Sequence, residues 1–465
     1  MHPARTISAM ILIALAAGGC APTVQVEGPR PIASTSWSGQ NGNSAPAPAR
    51  FSNLLNAPDL EALTDQALEN NSDIRIASAR VAQSHALLRA ARQAVLPEIT
   101  LAAGGNRRFA NNGGNPLDFK DAFARLDVDL DLDLFGRLSA GKRAALSRTR
   151  AAELERAVVA LAIEVDVASA YVQRSALARR LDILDTNIER AVELDRVIRL
   201  RSAEGDATRV DQGLQAIRLL NLRDSRSRLQ QALDQTRTAL AILTGSEAPQ
   251  FSVVPGSVDA VTIPELRLPP PVELLAARPD VRASEASIEA AKGDVAQARA
   301  AFFPQIGIGL RALLETATST PLGKSLSIGS SLLAPIFSRG RLQSELQFAS
   351  AVQVEVVERY RQRVLAALAE VEDARSAGQR SAERAKLLDA IVEEARLTAR
   401  LANVRYIEGE EDLLSVLDAQ TSLSDAEDAQ VIGWQERLFA QIALYRSMGG
   451  YPARSTGVPN LESPI

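Results

Sequence analysis

A mainly helical chain with transmembrane β-strands, built as one unit used twice, is the fold class that the sequence predicts, and three observations carry it. The segment Asp73–Ile99 lies without gaps over Asp280–Ile306 at a constant offset of 207, with identities at Asp73/Asp280, Arg75/Arg282, Ala79/Ala286, Arg92/Arg299 and Pro97/Pro304. Two later stretches, Lys142–Glu204 and Arg341–Glu408, contain no proline and a single glycine, Gly378. Between the two patterns in the first half, Leu126–Leu134 alternates strictly between apolar residues and aspartate. Repetition is sought first because it fixes the unit that must fold. Each half then reads as helix, strand, strand, very long helix, turn, helix.

Composition narrows the function before any motif does. The 465 residues are 46% hydrophobic and 23% charged, with 52 basic against 56 acidic side chains and no basic block, which disfavours nucleic acid as a partner. Two histidines and one cysteine leave little from which to build a metal centre, a disulfide framework or a His-dependent catalytic site. His85 reads as a packing or surface residue, the acids Glu410–Asp412 as solvated charge, and the Gly-rich Asn111–Gly114 lacks the Lys-Ser/Thr of a phosphate loop. No catalytic, cofactor-binding or metal site is expected, and no enzyme.

In chain order, residues 1–19 read as a lipoprotein signal peptide: Arg5, an apolar run from Ala9 to Ala17, and small residues leading to the sole cysteine, Cys20. Cys20 is then the expected site of lipidation, an ordinary secretory peptide with a chance cysteine being the alternative. Residues 20–50, rich in Pro, Ser, Gly and Asn, make an extended tether. The first repeat spans 51–247, a connector carrying six prolines spans 248–271, the second repeat spans 272–450, and 451–465 form a flexible tail.

Within each repeat the elements follow from period and punctuation. Pro97 and Pro304 mark helix-to-strand junctions, because proline removes the N–H that a continuing helix requires. The Asp127, Asp129, Asp131, Asp133 ladder would scatter around a helix but lies on one face of a strand, with Leu and Val on the other. Water on one side and lipid on the other satisfies both faces, so these four acids are expected to face a lumen. Loops are expected at Asn111–Pro116 and Thr316–Lys324. At about 1.5 Å per residue each long helix reaches on the order of 100 Å. Seams at Leu177, Leu181, Leu184, Ile188, Ala191 and Ile198, and at Leu388, Ile391, Ala395 and Leu401, suggest coiled-coil packing. Gly205 and Gly409 allow the hairpin turns, from which partners run back over 207–243 and 412–448. Four short strands fall short of the roughly eight that close a membrane barrel, and open edges cannot remain in lipid, so several copies must share one barrel.

Taken in order, several segments resemble the outer-membrane factor family, the TolC-type channel-tunnels, and within it the lipoprotein branch serving resistance-nodulation-division pumps. They are Ala67–Ile74, Asp131–Arg137, Arg278–Val281, Ala298–Pro304, Ala334–Phe337, Tyr406–Gly409 and Leu417–Gln420. The resemblance implies a homotrimer in which four strands per protomer complete a twelve-stranded outer-membrane barrel and the long helices form an α-barrel tunnel projecting into the periplasm. It implies passive export, with a periplasmic membrane-fusion adaptor and an inner-membrane pump as partners and outer-membrane lipid around the barrel. It also implies a periplasmic gate of an apolar and an acidic ring, which match Leu414 and Asp418, four residues apart on one helical face. Ser202 stands where the second repeat has Tyr406, and Leu214 where it has Asp418, so the tip is only pseudo-symmetric. A lipid-anchored periplasmic coiled-coil scaffold without a pore is the alternative; it accounts for the helices but not for the duplicated junctions at Pro97 and Pro304.

Overall fold

The computed structural model describes residues 37, 51–55, 57–112, 115–252, 263, 264, 266, 268–317 and 320–450; Cys20 and the C-terminal tail lie outside them. The elements run α1 (Phe51–Leu54), α2 (Pro58–Asn70), α3 (Ser72–Gln93), β1 (Glu98–Asn112), β2 (Asn115–Leu132), α4 (Arg137–Glu204) and α5 (Arg209–Leu243), and then α6 (Pro271–Ala277), α7 (Pro279–Ala300), β3 (Gln305–Ala317), β4 (Thr320–Leu333), α8 (Arg339–Glu408) and α9 (Leu413–Ser447). The order helix, strand, strand, long helix, helix thus occurs twice. Among the described residues no helix is long and apolar enough to cross a membrane.

The chain divides into two compact units, each drawing on both repeats. One takes in residues 78–154 and 281–363 and holds the four-stranded antiparallel sheet in the order β1-β2-β3-β4, with β1 and β4 at its edges. The strands are longer than the alternation suggested. Asn112 pairs with Asn115 and Ala317 with Thr320, so strand pairing reaches into both stretches expected as loops. Backbone N–H and C=O groups away from water must pair whatever their side chains, and strand pairing therefore continues through Gly- and Thr-rich sequence that breaks the side-chain pattern. Below the sheet α7 packs on α4: a Cβ at Gly293 would stand 2.8 Å from the Cβ of Ala144, which is fully buried. His85 on α3 lies 3.2 Å from Glu153 on α4.

The other unit, residues 32–77, 155–280 and 364–465, is a helical body. Its main core gathers Phe51, Leu55, Leu60, Val167, Tyr171, Val172, Leu438 and Ile442, with the Phe51 and Tyr445 rings 5.2 Å apart. Trp37 is buried among Leu268, Leu274, Val371, Ala374, Leu444 and Met448, and its indole N–H donates to the Pro269 carbonyl at 2.7 Å. Trp37, within the segment read as a tether, is therefore held to the helical body. On α4 the buried residues Leu177, Leu184, Ala191 and Ile198 recur every seven residues, as a coiled-coil seam does. On α8 the expectation needs correcting: Leu388 is buried, but Ile391 and Leu401 are exposed, and the seam continues through Val392 and Ala399. Two apolar stripes share that helix, and spacing alone does not say which one faces α9.

Candidate functional site

Register and pleat divide the sheet into two unlike faces. Leu126, Val128, Leu130 and Leu132 share one with Ile99 and Leu101 of β1, Ile306, Ile308 and Leu310 of β3, and Leu326, Ile328 and Leu332 of β4. This face is uncovered: Leu101, Leu326 and Ile328 are 78%, 73% and 79% exposed. A contiguous exposed apolar face with no partner in the chain marks contact with lipid or another molecule. The opposite face carries Asp127, Asp129 and Asp131 beside Gly307, Gly309, Arg311, Ser327, Gly329 and Ser331, and forms a shallow groove of about 320 Å³. The glycines leave room for the acids, since a Cβ at Gly309 would stand 3.1 Å from Asp129 Oδ1.

The four acids of the ladder are not equivalent. Asp127 is only 7% exposed and is clasped by two guanidiniums, Arg311 Nε at 2.5 Å and Arg125 Nε at 3.0 Å. Asp131 lies 3.5 Å from Arg137. Asp133 stands beyond the last residue of β2, and its carboxylate accepts from the backbone N–H groups of Leu138 at 2.9 Å and Ser139 at 2.7 Å. It satisfies the orphan donors at the start of α4, where a negative charge also suits the helix dipole. Pro97 and Pro304 directly precede β1 and β3, and near the latter Phe303 stacks on Phe135 with ring centroids 4.7 Å apart.

In the helical unit the two hairpin tips are built alike at the backbone. Gly205 and Gly409 have φ of 91° and 82°, the left-handed region that only glycine enters without strain. Asp206 N–H returns to the Arg201 carbonyl at 2.8 Å and Glu410 N–H to the Arg405 carbonyl at 2.9 Å. Thr208 with Asp211 forms a capping box for α5, and Asp412 caps α9 by accepting from Ser415 N–H at 2.8 Å. That backbone hydrogen bond holds the Asp412 carboxyl below its ordinary value.

The side chains differ between the tips. Arg201 Nη2 donates to the carbonyls of Tyr406 and Ile407, both at 3.0 Å, and its guanidinium lies 4.5 Å over the ring of Tyr406, which is buried. Arg218 on α5 donates to the Leu417 carbonyl at 3.2 Å and to the Thr421 hydroxyl, so α5 is tied to α9 one turn from Leu414. Leu413, Val416 and Leu417 pack inward against Leu194, Ile198 and Tyr406. Leu414 and Asp418 occupy the opposite, exposed face of α9, with Leu414 58% exposed. Ser202 makes no counterpart to the Tyr406 packing, and Leu214 is 41% exposed.

Sequence reasoning passed over Arg125, Arg201, Arg218 and Arg311. Arg125 has the parity of the aspartates and was open to being placed on their face. The other three act on residues roughly 200 positions away, and only strand register or helix packing reveals their partners.

With this geometry in place, the comparisons with known proteins agree. The outer membrane efflux protein family model matches residues 63–246 and 271–450. The chain is 33% identical over 405 residues to the pyoverdine export outer membrane protein OpmQ of Pseudomonas putida, covering 85% of this chain and 86% of that protein. It is 30% identical over 463 residues to the outer membrane protein OprJ of Pseudomonas aeruginosa, covering 96% of each. Among solved structures, the outer-membrane channel OprN superposes with a TM-score of 0.85 at 26% identity, covering 93% of this chain and 99% of that one. A chain with a duplicated helix-strand unit, a sheet greasy on one side and polar on the other, and this set of relatives belongs to the outer membrane efflux protein family.

Proposed function

We propose that three copies of this outer-membrane efflux channel assemble into one passive export duct, their sheets joined edge to edge into a single barrel and their long helices into a periplasmic tunnel. The observation that carries this reading is the sheet itself: one exposed apolar face, one charged face, and two open edges. In lipid every edge group must find a partner, and four strands lie below the roughly eight needed to close on themselves. The apolar face then meets lipid, and Asp129 and Asp131 line water beside the Arg125 and Arg311 guanidiniums that cover Asp127, with Asp133 at the mouth of the barrel. On this reading the first repeat occupies 51–247 and the second 272–450, separated by the connector 248–271.

The exposed pair Leu414 and Asp418 is assigned to the periplasmic gate, where three copies make an apolar and an acidic ring. Gly205 and Gly409 form the tips that meet a periplasmic adaptor, and an inner-membrane pump supplies the energy. Cys20 carries the lipid anchor after removal of residues 1–19. Relatives named for pyoverdine export and for toluene and solvent efflux support small molecules as the cargo.

The test is single-channel conductance of the detergent-extracted protein in a planar bilayer, with its mass measured in parallel, for the native chain and for Leu414→Ser/Asp418→Ala. A trimer whose conductance rises in the variant is expected. A monodisperse trimer that stays silent in both would overturn the duct and favour a scaffold without a pore.

A further inference from the structure

The polar face of the sheet is not uniformly acidic. Toward its helix-proximal end Glu98 pairs in register with Asp129, with Asp131 two residues farther along β2. Toward the hairpin end of the same face, two residues beyond Arg125 and Leu313, lie Phe123 and Glu315, then Asp121, whose carboxylate accepts from Asn106 at 3.3 Å. Between these acidic residues sits a basic rung, and Arg108 of β1 adds a further cation on the same face beyond Asn106. Arg311 is the register partner of Asp127 across β2 and β3, Arg125 is two residues from Asp127 on the same strand face, and both guanidiniums bind the one carboxylate. Two cations against one anion leave the rung with a charge of +1 per chain. Arg125 and Arg311 keep 45% and 58% of their side-chain surface exposed, so the excess charge faces solvent while Asp127 is covered. Ser327, the β4 partner of Arg311, completes the rung without adding charge.

We propose that the Arg125–Asp127–Arg311 rung is a charge-selective tier of the barrel lumen: a guanidinium ring that gives anionic, carboxylate- or sulfonate-bearing solutes a foothold in a mainly acidic passage and disfavours cations there. The proposal rests on the reading that this face lines the pore. Low-dielectric walls focus the field of charges of one sign, so a net charge repeated on each chain around the barrel biases the local concentration of charged solutes. Asp127 plays the positioning part. It holds the two guanidiniums at one height and costs one unit of charge in doing so.

The experiment labels a cysteine placed on the rung in intact outer membranes, using a sulfonate-bearing and a trimethylammonium-bearing methanethiosulfonate of similar size. Ser327→Cys reports the polar face and Leu326→Cys the apolar one, and the native chain gives the background from Cys20. Water-borne labelling of Ser327→Cys but not of Leu326→Cys is expected, and its failure would remove the pore-lining reading itself. Given that labelling, Ser327→Cys should react faster with the sulfonate than with the ammonium reagent. Adding Arg125→Gln, which leaves the Asp127–Arg311 pair intact and so spares folding, should lower that ratio several-fold, and Arg125→Lys should retain it. A ratio indifferent to Arg125→Gln in a labelled Ser327→Cys protein would overturn the rung's role while leaving the duct standing.

Discussion

Asp418 and Asp412, six residues apart near the start of α9, illustrate how differently two carboxylates on one helix can act. Asp412 is tied to the Ser415 N–H, and its carboxyl is held below the ordinary value by that bond. A group depressed in the folded state contributes stability above its unfolded pKa and loses it as pH falls through the folded value. The protection factor of the Ser415 amide, its exchange rate measured against the intrinsic rate at the same pH, should therefore fall as pH drops below about 4, the unperturbed carboxylate range, and should hold steady above it. Asp418 has no such tie and stands on the exposed face beside Leu414. Asp418→Ala should weaken divalent-cation block of the channel while leaving the trimer intact; unchanged block in an assembled variant would take Asp418 out of the gate. Arg278 is a residue of the opposite kind. Its guanidinium is almost wholly buried, bidentate on Asp280 at 3.0 and 2.7 Å, and bonded to Glu370 and to the Ser447 carbonyl. Arg278→Met removes the cation that Asp280 and Glu370 share and the donor to the Ser447 carbonyl, and a loss of about 1.5–3 kcal/mol should be seen in thermal unfolding.

At the scale of elements, close approach of helices rests on small residues. The contact face of α7 buries Ala283, Ala286, Ala290 and Ala291 together with Gly293, whose missing side chain lets Ala144 of α4 come within what would be 2.8 Å of a Cβ. Gly293→Val puts two further carbons where backbone and Cβ atoms of Ala144 already stand. Overpacking of this kind costs about 1–3 kcal/mol, and the variant should melt earlier, whereas Gly340→Ala, in α8 with nothing near its position, should not lower the melting point and should raise it slightly through helix propensity. The turns at Gly205 and Gly409 were readable from sequence because they depend on local chemistry, whereas Asp412, which reads as solvated charge, caps α9 through the Ser415 N–H, and the Thr208–Asp211 capping box of α5 was passed over. The seam on α8 was not readable, because Ile391 and Leu401 satisfy the same spacing as Val392 and Ala399, and only the position of α9 selects between the two stripes.

For the whole molecule, the uncovered faces govern assembly. Ile328 lies at the middle of β4 on the apolar face and is 79% exposed within the single chain. A charge there meets hydrocarbon once the sheet enters a bilayer, at about 2–4 kcal/mol for an arginine near the midplane. Ile328→Arg should reduce recovery of trimer from outer membranes, whereas Ser327→Arg, one residue away on the polar face, should assemble. Equal assembly of both would contradict the assignment of lipid and water to the two faces.

What the sequence determined by itself was everything set by period and local punctuation. The 207-residue offset revealed the duplication, breaker-free runs the long helices, strict alternation the amphipathic strand, and Gly205, Gly409, Pro97 and Pro304 the places where the chain changes course. Tertiary structure decided what depends on which distant residue comes alongside. Three carboxylates of the Asp127–Asp133 ladder stand on one face, but Arg311, 184 residues away, cancels the first, and the fourth caps a helix. Trp37, in a stretch that reads as loose tether, is anchored by its indole N–H to the carbonyl of Pro269, 232 positions along the chain. Periodicity fixes which face a residue occupies; only register and packing, which join segments far apart in sequence, fix what that face meets.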